Sequence, residues 1–269
     1  MQIASHAKIN WSLRITGRRG DGFHELETLF QTISLQDDIS FHRSDRPTFI
    51  CDAPDVPADD TNLVMRAVRA MGSPPVAIEL HKRIPAGGGL GGGSSNAAAT
   101  LRAIDTLFEM HTPMERLRET AVQLGSDVPF FLLGGTAFAT GRGEQLSPLP
   151  LVAPVPLLLI LPEERVSTAE AFRAITRFSK PLGIEAYRRM IDDDLLAHAS
   201  SLTNDFEEPI FSRHPRLQKY KHALLASGAA WAAMTGSGST IVGAFRSQSV
   251  RDAAIVAFSG VRAVAAETV

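Results

Sequence analysis

The chain has 269 residues, of which 44% are hydrophobic and 21% charged, with 27 basic and 29 acidic side chains. This length is enough for one large or two modest domains with well-buried cores. The formal net charge of −2 argues against a dedicated nucleic-acid binder, which needs a basic excess to displace counterions from phosphates. The single cysteine, Cys51, excludes an internal disulfide framework and fits a reducing compartment.

No segment approaches the about 20 consecutive apolar residues that span a bilayer, and the amino terminus has no apolar stretch typical of a signal peptide. The longest apolar stretch, residues 151–162, is interrupted by Pro154 and Pro156. We therefore expect a cytoplasmic protein with neither a membrane nor a nucleic acid as partner.

The amino-terminal half mixes strand-like and helix-like segments, beginning with β-type runs around a turn at residues 18–22. An alanine-rich helix follows a cluster of glycines, and the next helix begins at a proline and ends before a glycine. The pattern predicts strands over 9–15, 27–34, 39–42, 76–80 and 136–140, helices over 63–71, 94–110 and 113–124, and an apolar run over 128–133.

A proline-rich stretch at residues 148–156 is the best candidate for a domain boundary. Strands and helices alternate again beyond it, which favours an α+β protein of two domains, residues 1–150 and 151–269. The predicted elements are strands over 157–161 and 261–265, two strands flanking residues 236–238, and helices over 169–177, 185–191, 217–227 and 249–258.

Six of the seven residues from Gly87 to Gly93 are glycine, and they lie between a predicted strand and a predicted helix. Amides unobstructed by side chains, together with the positive end of a helix dipole, can hold a phosphate chain without many lysines. A flexible linker is the alternative. The phosphate loop is favoured over a linker by the basic residues before the run, Lys82 and Arg83, and by the strong helix after it.

The sequence of this glycine run does not match the motifs of the common phosphate-binding loops. A Walker A motif needs a lysine after its last glycine, and two serines stand there instead. Gly87, Gly89 and Gly92 have GxGxxG spacing, but the acidic residue that a dinucleotide loop needs about 20 residues on would fall inside a helix. The HRD and DFG strings of protein kinases are absent. An oxidoreductase and a catalytically silent nucleotide-binding module stay open as alternatives.

The glycine run and its flanks, PAGGGLGGGSSNAAAT, resemble the phosphate-binding motif of the GHMP kinases. Five further motifs, in the right order over nearly the whole chain, resemble the branch of this superfamily that acts on a cytidine diphosphate methylerythritol. These motifs are AKINW from Ala7, DGFH from Asp21, LGSDVPFF from Leu124, NDFE from Asn204 and MTGSG from Met234.

The resemblance implies a two-domain α+β GHMP kinase fold, with an amino-terminal domain related to a ribosomal-protein fold and a ferredoxin-like carboxy-terminal domain. It implies transfer of a phosphoryl group from ATP, with Mg²⁺, to the 2-hydroxyl of that small-molecule substrate, in the non-mevalonate route to isoprenoid precursors. A monomer or weak homodimer is expected. The nearest alternative is another kinase of the superfamily, acting on homoserine or a mevalonate derivative.

The resemblance assigns Asp127 as the base that takes the hydroxyl proton, and Lys8 as the cation that supports charge on the moving phosphoryl group. From the residues alone, a helix N-cap is the favoured explanation of Asp127, and a lone strand lysine commonly extends to solvent. Asn10 would lie on the same strand face as Lys8, and it matches a residue in contact with the substrate.

The cytosine would be recognised by aromatic residues. Phe23 offers a stacking face, without the hydroxyl of the tyrosine that the family often has there, and His24 offers a ring nitrogen. Phe172 matches a second aromatic, with Thr168 near it, although Ala169 replaces an expected proline.

The resemblance places ATP on the glycine loop, with further contacts from Asn62 and Lys82, although Lys82 is equally explained as a solvated strand end. Residues 236–238 resemble a motif that closes against the phosphate loop, or else form a hairpin turn. No metal ligand is identified, although Ser94 or Ser95 could approach the ion. The predicted ATP-binding residues are Pro85, Ala86, Gly87, Gly88, Gly89, Leu90, Gly91, Gly92, Gly93, Ser94, Ser95, Asn62 and Lys82.

Overall fold

Two long paired strands, β1 (Gln2–Arg18) and β2 (His24–Arg43), begin the computed structural model, which describes residues 1–269. The backbone N–H of Arg19 donates to the carbonyl of Phe23 at 2.7 Å, and Gly22 has φ +87°. A tight turn therefore joins the strands where the sequence predicts one.

The sequence predicts three short strands in this region, over residues 9–15, 27–34 and 39–42, and the structure has two long ones. The predicted gap in β2 contains polar residues, yet Asp38 pairs with His81 on a neighbouring strand. Backbone pairing continues through polar positions because the ladder bonds do not depend on side-chain polarity.

One compact unit consists of residues Met1–Ala7, Leu35–Ala86 and Gly91–Gly134. Its elements, besides parts of β1 and β2, are β3 (Thr48–Cys51), α1 (Leu63–Ala70), β4 (Val76–His81), α2 (Gly92–Leu107), α3 (Met114–Leu124) and α4 (Val128–Leu133). Strand β4 lies between β2 and β3, antiparallel to β2 and parallel to β3. The helices and strands share a core that includes Phe41, Ile78, Leu101 and Leu117.

The other unit consists of residues Lys8–Ser34, Gly87–Leu90 and Gly135–Val269. Its elements include β5 (Thr136–Thr140), β6 (Gln145–Pro148), β7 (Pro156–Leu161), α5 (Thr168–Arg173), α6 (Ile184–Asp193), α7 (Glu207–Arg213), α8 (Pro215–Ala226), β8 (Trp231–Met234), β9 (Ile241–Ala244), α9 (Gln248–Ala254) and β10 (Arg262–Glu267). Short 3₁₀ segments span Leu195–Ser201 and Ile255–Phe258. Four antiparallel strands form a sheet in the order β10-β7-β9-β8, and its core includes Ile15, Leu158, Phe206 and Phe245.

The predicted α+β class is confirmed. The helix ends predicted from proline and glycine positions are also confirmed. Helix α3 begins after Pro113 and ends at Gly125, as the proline and glycine positions predict. Strands β3 and β6 and helix α7 were not predicted from the sequence, and no conformation was predicted for the apolar run that forms α4. None of the helices combines the length and the apolar composition needed to cross a bilayer.

The helix predicted over residues 169–177 is shorter in the structure, because α5 ends at Arg173. The segment after it makes long-range hydrogen bonds instead. The Ser179 amide donates to the Ile15 carbonyl at 2.8 Å, and the Ser179 hydroxyl donates to Asp205 at 2.9 Å. Tertiary contacts therefore override the local helical pattern there.

Candidate active site

The glycine run leads into α2, whose N-cap is Gly91 in the left-handed conformation, with no side-chain cap. The first amides of an α-helix have no acceptor within the helix, and Ser95 is the first to bond back, to the Gly91 carbonyl at 2.9 Å. The amides of Gly92, Gly93 and Ser94 therefore point out of the helix end, which is the arrangement that binds anions.

Packing requires a glycine at position 92. A Cβ on Gly92 would lie 2.8 Å from Ile84 Cγ2 and 3.1 Å from Lys82 Nζ. At Gly93 a Cβ would meet only Leu63, at the ordinary contact distance of 3.7 Å. Two adjacent glycines in the same helical turn therefore tolerate a methyl group very differently.

We expect Gly92→Ala to lower the thermal stability of the protein and Gly93→Ala to leave it unchanged or raise it slightly. Overpacking a buried site costs about 1–3 kcal/mol, whereas alanine in place of a helical glycine gains about 1 kcal/mol. Thermal unfolding of the two variants, measured in parallel, compares these effects. Equal Tm values would contradict the packing argument.

The preceding part of the run, Gly87–Leu90, lies against the turn between β8 and β9. Gly89 has φ +80°, and a Cβ there would clash with the carbonyl oxygen of Thr235. The backbone N–H of Thr240 donates to the Gly88 carbonyl at 3.3 Å. The turn at residues 236–238 is thus both a connection between two strands and a surface that closes on the glycine run.

Lys8 is buried, with 3% of its surface exposed, so the interpretation that it extends to solvent is wrong. Its Nζ donates to Asn10 Oδ1 at 2.8 Å and lies 5.2 Å from the centroid of the Phe30 ring. The amide of Gly236 donates to the same Oδ1 at 3.0 Å, and the hydroxyl of Thr235 at 3.2 Å. One side-chain oxygen therefore fixes the lysine ammonium beside the 236–238 turn.

The side-chain Nδ2 of Asn10 donates to Thr28 Oγ1 at 2.8 Å. Asn10 is 2% exposed, and its oxygen is already fully used by protein donors. An asparagine amide carries two N–H groups, so the second one is the route by which Asn10 can contact a substrate. The geometry makes Asn10 first of all the residue that orients Lys8.

Asp127 occupies the N-cap position of α4, where it has αR dihedral angles, and its side chain makes no capping hydrogen bond. The side chain is half-buried. Helix capping therefore does not explain why an aspartate stands at this position.

The predicted cytosine-binding residues His24 and Phe172 are in contact. Their rings stack with centroids 5.0 Å apart, and the edge of Phe172 meets Phe206 at 4.9 Å. Burial, and then the nearby charge of Arg18, lower the pKa of His24. The imidazole is thus neutral at neutral pH, with one donor and one acceptor nitrogen.

Phe23 is 53% exposed, and the guanidinium of Arg142 lies 4.8 Å from its ring centroid. Arg142 is not part of any sequence motif, and only the general tendency of arginine to stack on aromatic faces could have suggested this contact. Thr168 Oγ1 lies 2.9 Å from Ser237 Oγ, which connects the start of α5 to the 236–238 turn.

The two remaining predicted ATP contacts both have protein partners. Asn62 caps α1, because its Oδ1 accepts from the amide of Val64 at 2.8 Å. Lys82 Nζ pairs with Asp37 at 2.5 Å, and these side chains are 8% and 0% exposed. The interpretation of Lys82 as a solvated strand end is therefore wrong. Asp37 was not predicted, because it lies in the polar stretch between the predicted strands 27–34 and 39–42, where a buried carboxylate has no local signal.

The hydroxyl of Ser95 is buried and bonds to Ser5 Oγ at 2.7 Å, whereas Ser94 is half-buried. The chain contains no group of three or more His, Cys, Asp or Glu side chains that could hold a metal ion.

Comparison with known proteins identifies the family. The GHMP kinase amino-terminal domain model matches residues 62–135, and the carboxy-terminal model matches residues 184–261. The 4-diphosphocytidyl-2-C-methyl-D-erythritol kinase of Chlorobaculum parvum is 41% identical, over 93% of this chain and 91% of the relative. The chain belongs to the 4-diphosphocytidyl-2-C-methyl-D-erythritol kinase family of the GHMP kinases. The member from Solibacter usitatus is 44% identical, over 89% of this chain and 79% of the relative.

Solved structures confirm the GHMP kinase fold. A crystal structure of a member of the kinase family superposes with a TM-score of 0.85 and 36% identity, over 100% of this chain and 99% of the other. Mevalonate kinase of L. major has a TM-score of 0.74 at 13% identity, covering 100% of this chain and 95% of its own. That second likeness concerns the fold alone.

Proposed function

We propose that this protein transfers the γ-phosphoryl group of ATP to the 2-hydroxyl of 4-diphosphocytidyl-2-C-methyl-D-erythritol, giving the 2-phosphate and ADP in the non-mevalonate route to isoprenoid precursors. The observation that carries the proposal is the 41% identity, over nine-tenths of both chains, to a kinase named for this substrate. The full-length structural match to such a kinase supports it further.

In this proposal the glycine run and the first amides of α2 hold the phosphates of ATP, with Asn62 and Lys82 belonging to the same nucleotide site. Mg²⁺ accompanies ATP and neutralises charge on its phosphates. Of the two serines considered as its ligands, Ser94 is the better candidate, because the Ser95 hydroxyl is committed to Ser5.

The proposed chemistry needs a base and a cation. The substrate hydroxyl gives its proton to the Asp127 carboxylate while its oxygen forms a bond to the γ-phosphorus, and the bond from that phosphorus to the β-γ bridging oxygen breaks. Lys8 stabilises the charge on the phosphoryl group in transfer. A tertiary alcohol is a weak acid and a crowded nucleophile, so both groups are needed.

Recognition of the cytidine end is assigned to Phe23, His24 and Phe172, with Thr168 near them. Asn10 is assigned a contact with the substrate on the strand face that it shares with Lys8. The neutral imidazole of His24 has one donor and one acceptor, which can match the mixed donor and acceptor edge of cytosine. Its stacking on Phe172 supports the assignment because it restrains the plane of the imidazole ring.

We expect Phe172→Leu to raise the KM for the cytidine substrate about tenfold, because aromatic stacking on a base contributes roughly 1–3 kcal/mol. Leucine keeps apolar packing against Phe206, so the fold should be retained. Steady-state kinetics at saturating ATP measure the effect, and the KM for ATP is the internal control. An unchanged KM for the cytidine substrate would contradict the assignment of Phe172 to the cytidine-binding site.

An assay of ADP release with different alcohols tests the function. The purified protein is given ATP and Mg²⁺ with the cytidine substrate, homoserine, mevalonate or no acceptor. Turnover with the cytidine substrate alone is expected. Preference for homoserine or mevalonate would replace the proposal with another GHMP kinase activity, and thermal stabilisation by NAD but not by ATP would favour the oxidoreductase alternative.

Three further predictions accompany the proposal. The division between the family's two domains is placed near residue 150, supported by the proline-rich stretch there and by family matches on either side of it.

A monomer or weak homodimer is expected by analytical ultracentrifugation. A cytoplasmic location is expected by cell fractionation.

A further inference from the structure

The carboxylate of Asp37 is completely buried within β2, yet it accepts four hydrogen bonds. Its Oδ1 accepts from the amides of Arg83 and Ile84, at 2.7 and 2.8 Å. Its Oδ2 accepts from Lys82 Nζ at 2.5 Å and from Asn96 Nδ2 at 2.9 Å. This is a full set of partners for a carboxylate.

These partners lie on both sides of the glycine run. Residues 82–84 come immediately before it, and Asn96 is in the first turns of α2, immediately after it. A second link joins the two sides, because Lys82 Nζ also donates to Asn96 Oδ1 at 3.2 Å. Asn96 Nδ2 donates further to Ser5 Oγ at 3.0 Å. One buried carboxylate thus connects the two ends of the phosphate loop.

The charge of Lys82 is largely committed to this network. Its ammonium has three N–H groups, of which two bond to Asp37 and Asn96. Burying two charges is compensated only when the pair is close and its other hydrogen bonds are satisfied, as here. Removing one partner would leave the other charge buried and unpaired, which favours a role for the pair in fixing the loop.

We propose that Asp37 is a positioning residue of the phosphate loop. It holds the chain at residues 82–84 and the beginning of α2 in one arrangement, so that the amides of Gly92, Gly93 and Ser94 point at a single phosphate group. This inference rests on the proposed function only in taking ATP as the ligand.

Asp37→Asn and Asp38→Asn form a matched pair of variants. At position 37, an amide oxygen can still accept from the two backbone amides, but its NH₂ group faces the donors of Lys82 and Asn96. Asp38 is partly exposed and pairs with the exposed Arg83 at 2.6 Å, a kind of ion pair that contributes little. Both variants lose one negative charge, but only Asp37→Asn also loses the buried contacts, so comparing them separates the two effects.

We expect Asp37→Asn to raise the Kd and the KM for ATP about tenfold or more, because small displacements of a preorganised site have large effects. The KM for the alcohol substrate should not change, and Asp38→Asn should behave as wild type in both respects. Titration calorimetry with ATP and steady-state kinetics give the values. A merely structural role would lower the amount of active protein and leave both KM values unchanged.

An unchanged Kd for ATP in Asp37→Asn would overturn the inference. A lower Kd would also overturn it, since it would mean that Asp37 restrains a lysine that binds ATP directly. Should circular dichroism show that Asp37→Asn is unfolded, Asn96→Ala keeps the Asp37–Lys82 pair and removes the side chain that links α2 to Asp37, Lys82 and Ser5, at a position where alanine favours the helix. It should also weaken ATP binding, and normal binding would reject the proposal.

The wild-type protein separates the two proposals. If it binds ATP but does not phosphorylate the cytidine substrate, the proposed function fails while the Asp37 comparison still stands. If it phosphorylates that substrate and Asp37→Asn binds ATP normally, only the positioning role fails. A wild-type chain that does not bind ATP would contradict both.

Discussion

Replacing Asp127 with asparagine is expected to lower kcat by about 10²–10⁴-fold, which is the range that general base catalysis contributes. Asparagine has nearly the same shape but does not take a proton at neutral pH. Because the aspartate makes no capping hydrogen bond with α4, the substitution removes no helix cap. Titration calorimetry should therefore show that ATP and the cytidine substrate still bind.

Asp194→Asn is the matched control, since Asp194 is also an aspartate at an N-cap position. Its side chain does cap, accepting from the Leu196 amide at 3.0 Å, and it pairs with Arg246 at 2.8 Å. Its loss should change stability by about 1 kcal/mol or less and leave kcat unchanged. Near-normal turnover in Asp127→Asn would show that Asp127 is not the catalytic base.

Replacing Lys8 with methionine is expected to lower kcat by about 10²–10³-fold, the loss typical when one donor to a developing charge is removed. Methionine has a similar length and suits the buried site beside Phe30. The oxygen of Asn10 would keep its bonds from Gly236 and Thr235, so this buried oxygen would not be left without a partner. The fold should therefore survive while catalysis fails.

Lys219→Met is the control for loss of a positive charge, because Lys219 is exposed on α8 and should not affect the reaction. Stopped-flow or steady-state kinetics distinguish two roles for Lys8. A Lys8→Met enzyme with normal kcat and a raised KM would make the lysine a residue of ground-state binding and not of phosphoryl transfer.

Local patterns predicted most of the elements, because their signals depend on nearby residues alone. Pro113 and Gly125 fix the ends of α3, and Asn62 caps α1. The lengths of β1 and β2 were not predictable in this way. β2 continues through polar residues such as Asp38 because β4, a strand about 40 residues further along the chain, pairs with it there.

The candidate site was predictable only in part. The glycine run indicated phosphate binding from its own chemistry, and the family resemblance supplied Lys8 and Asn10. No local pattern could indicate that Asn10 bonds to Thr235, a residue 225 positions away. The partners of Asp37 were hidden for the same reason, since they are brought together by the strand register and by the start of α2.

The bond network of Asn10 also has a consequence for how the protein is made. Lys8 leaves the ribosome well before Thr235 and Gly236, because these two residues lie more than 220 positions later in the chain. At a synthesis rate of about 5–20 residues per second, many seconds pass between the synthesis of Lys8 and that of Thr235 and Gly236, which bond to its partner Asn10. A nascent chain that ends before β8 therefore has no means of assembling this cluster, which forms only after β8 and the turn that follows it have been synthesised.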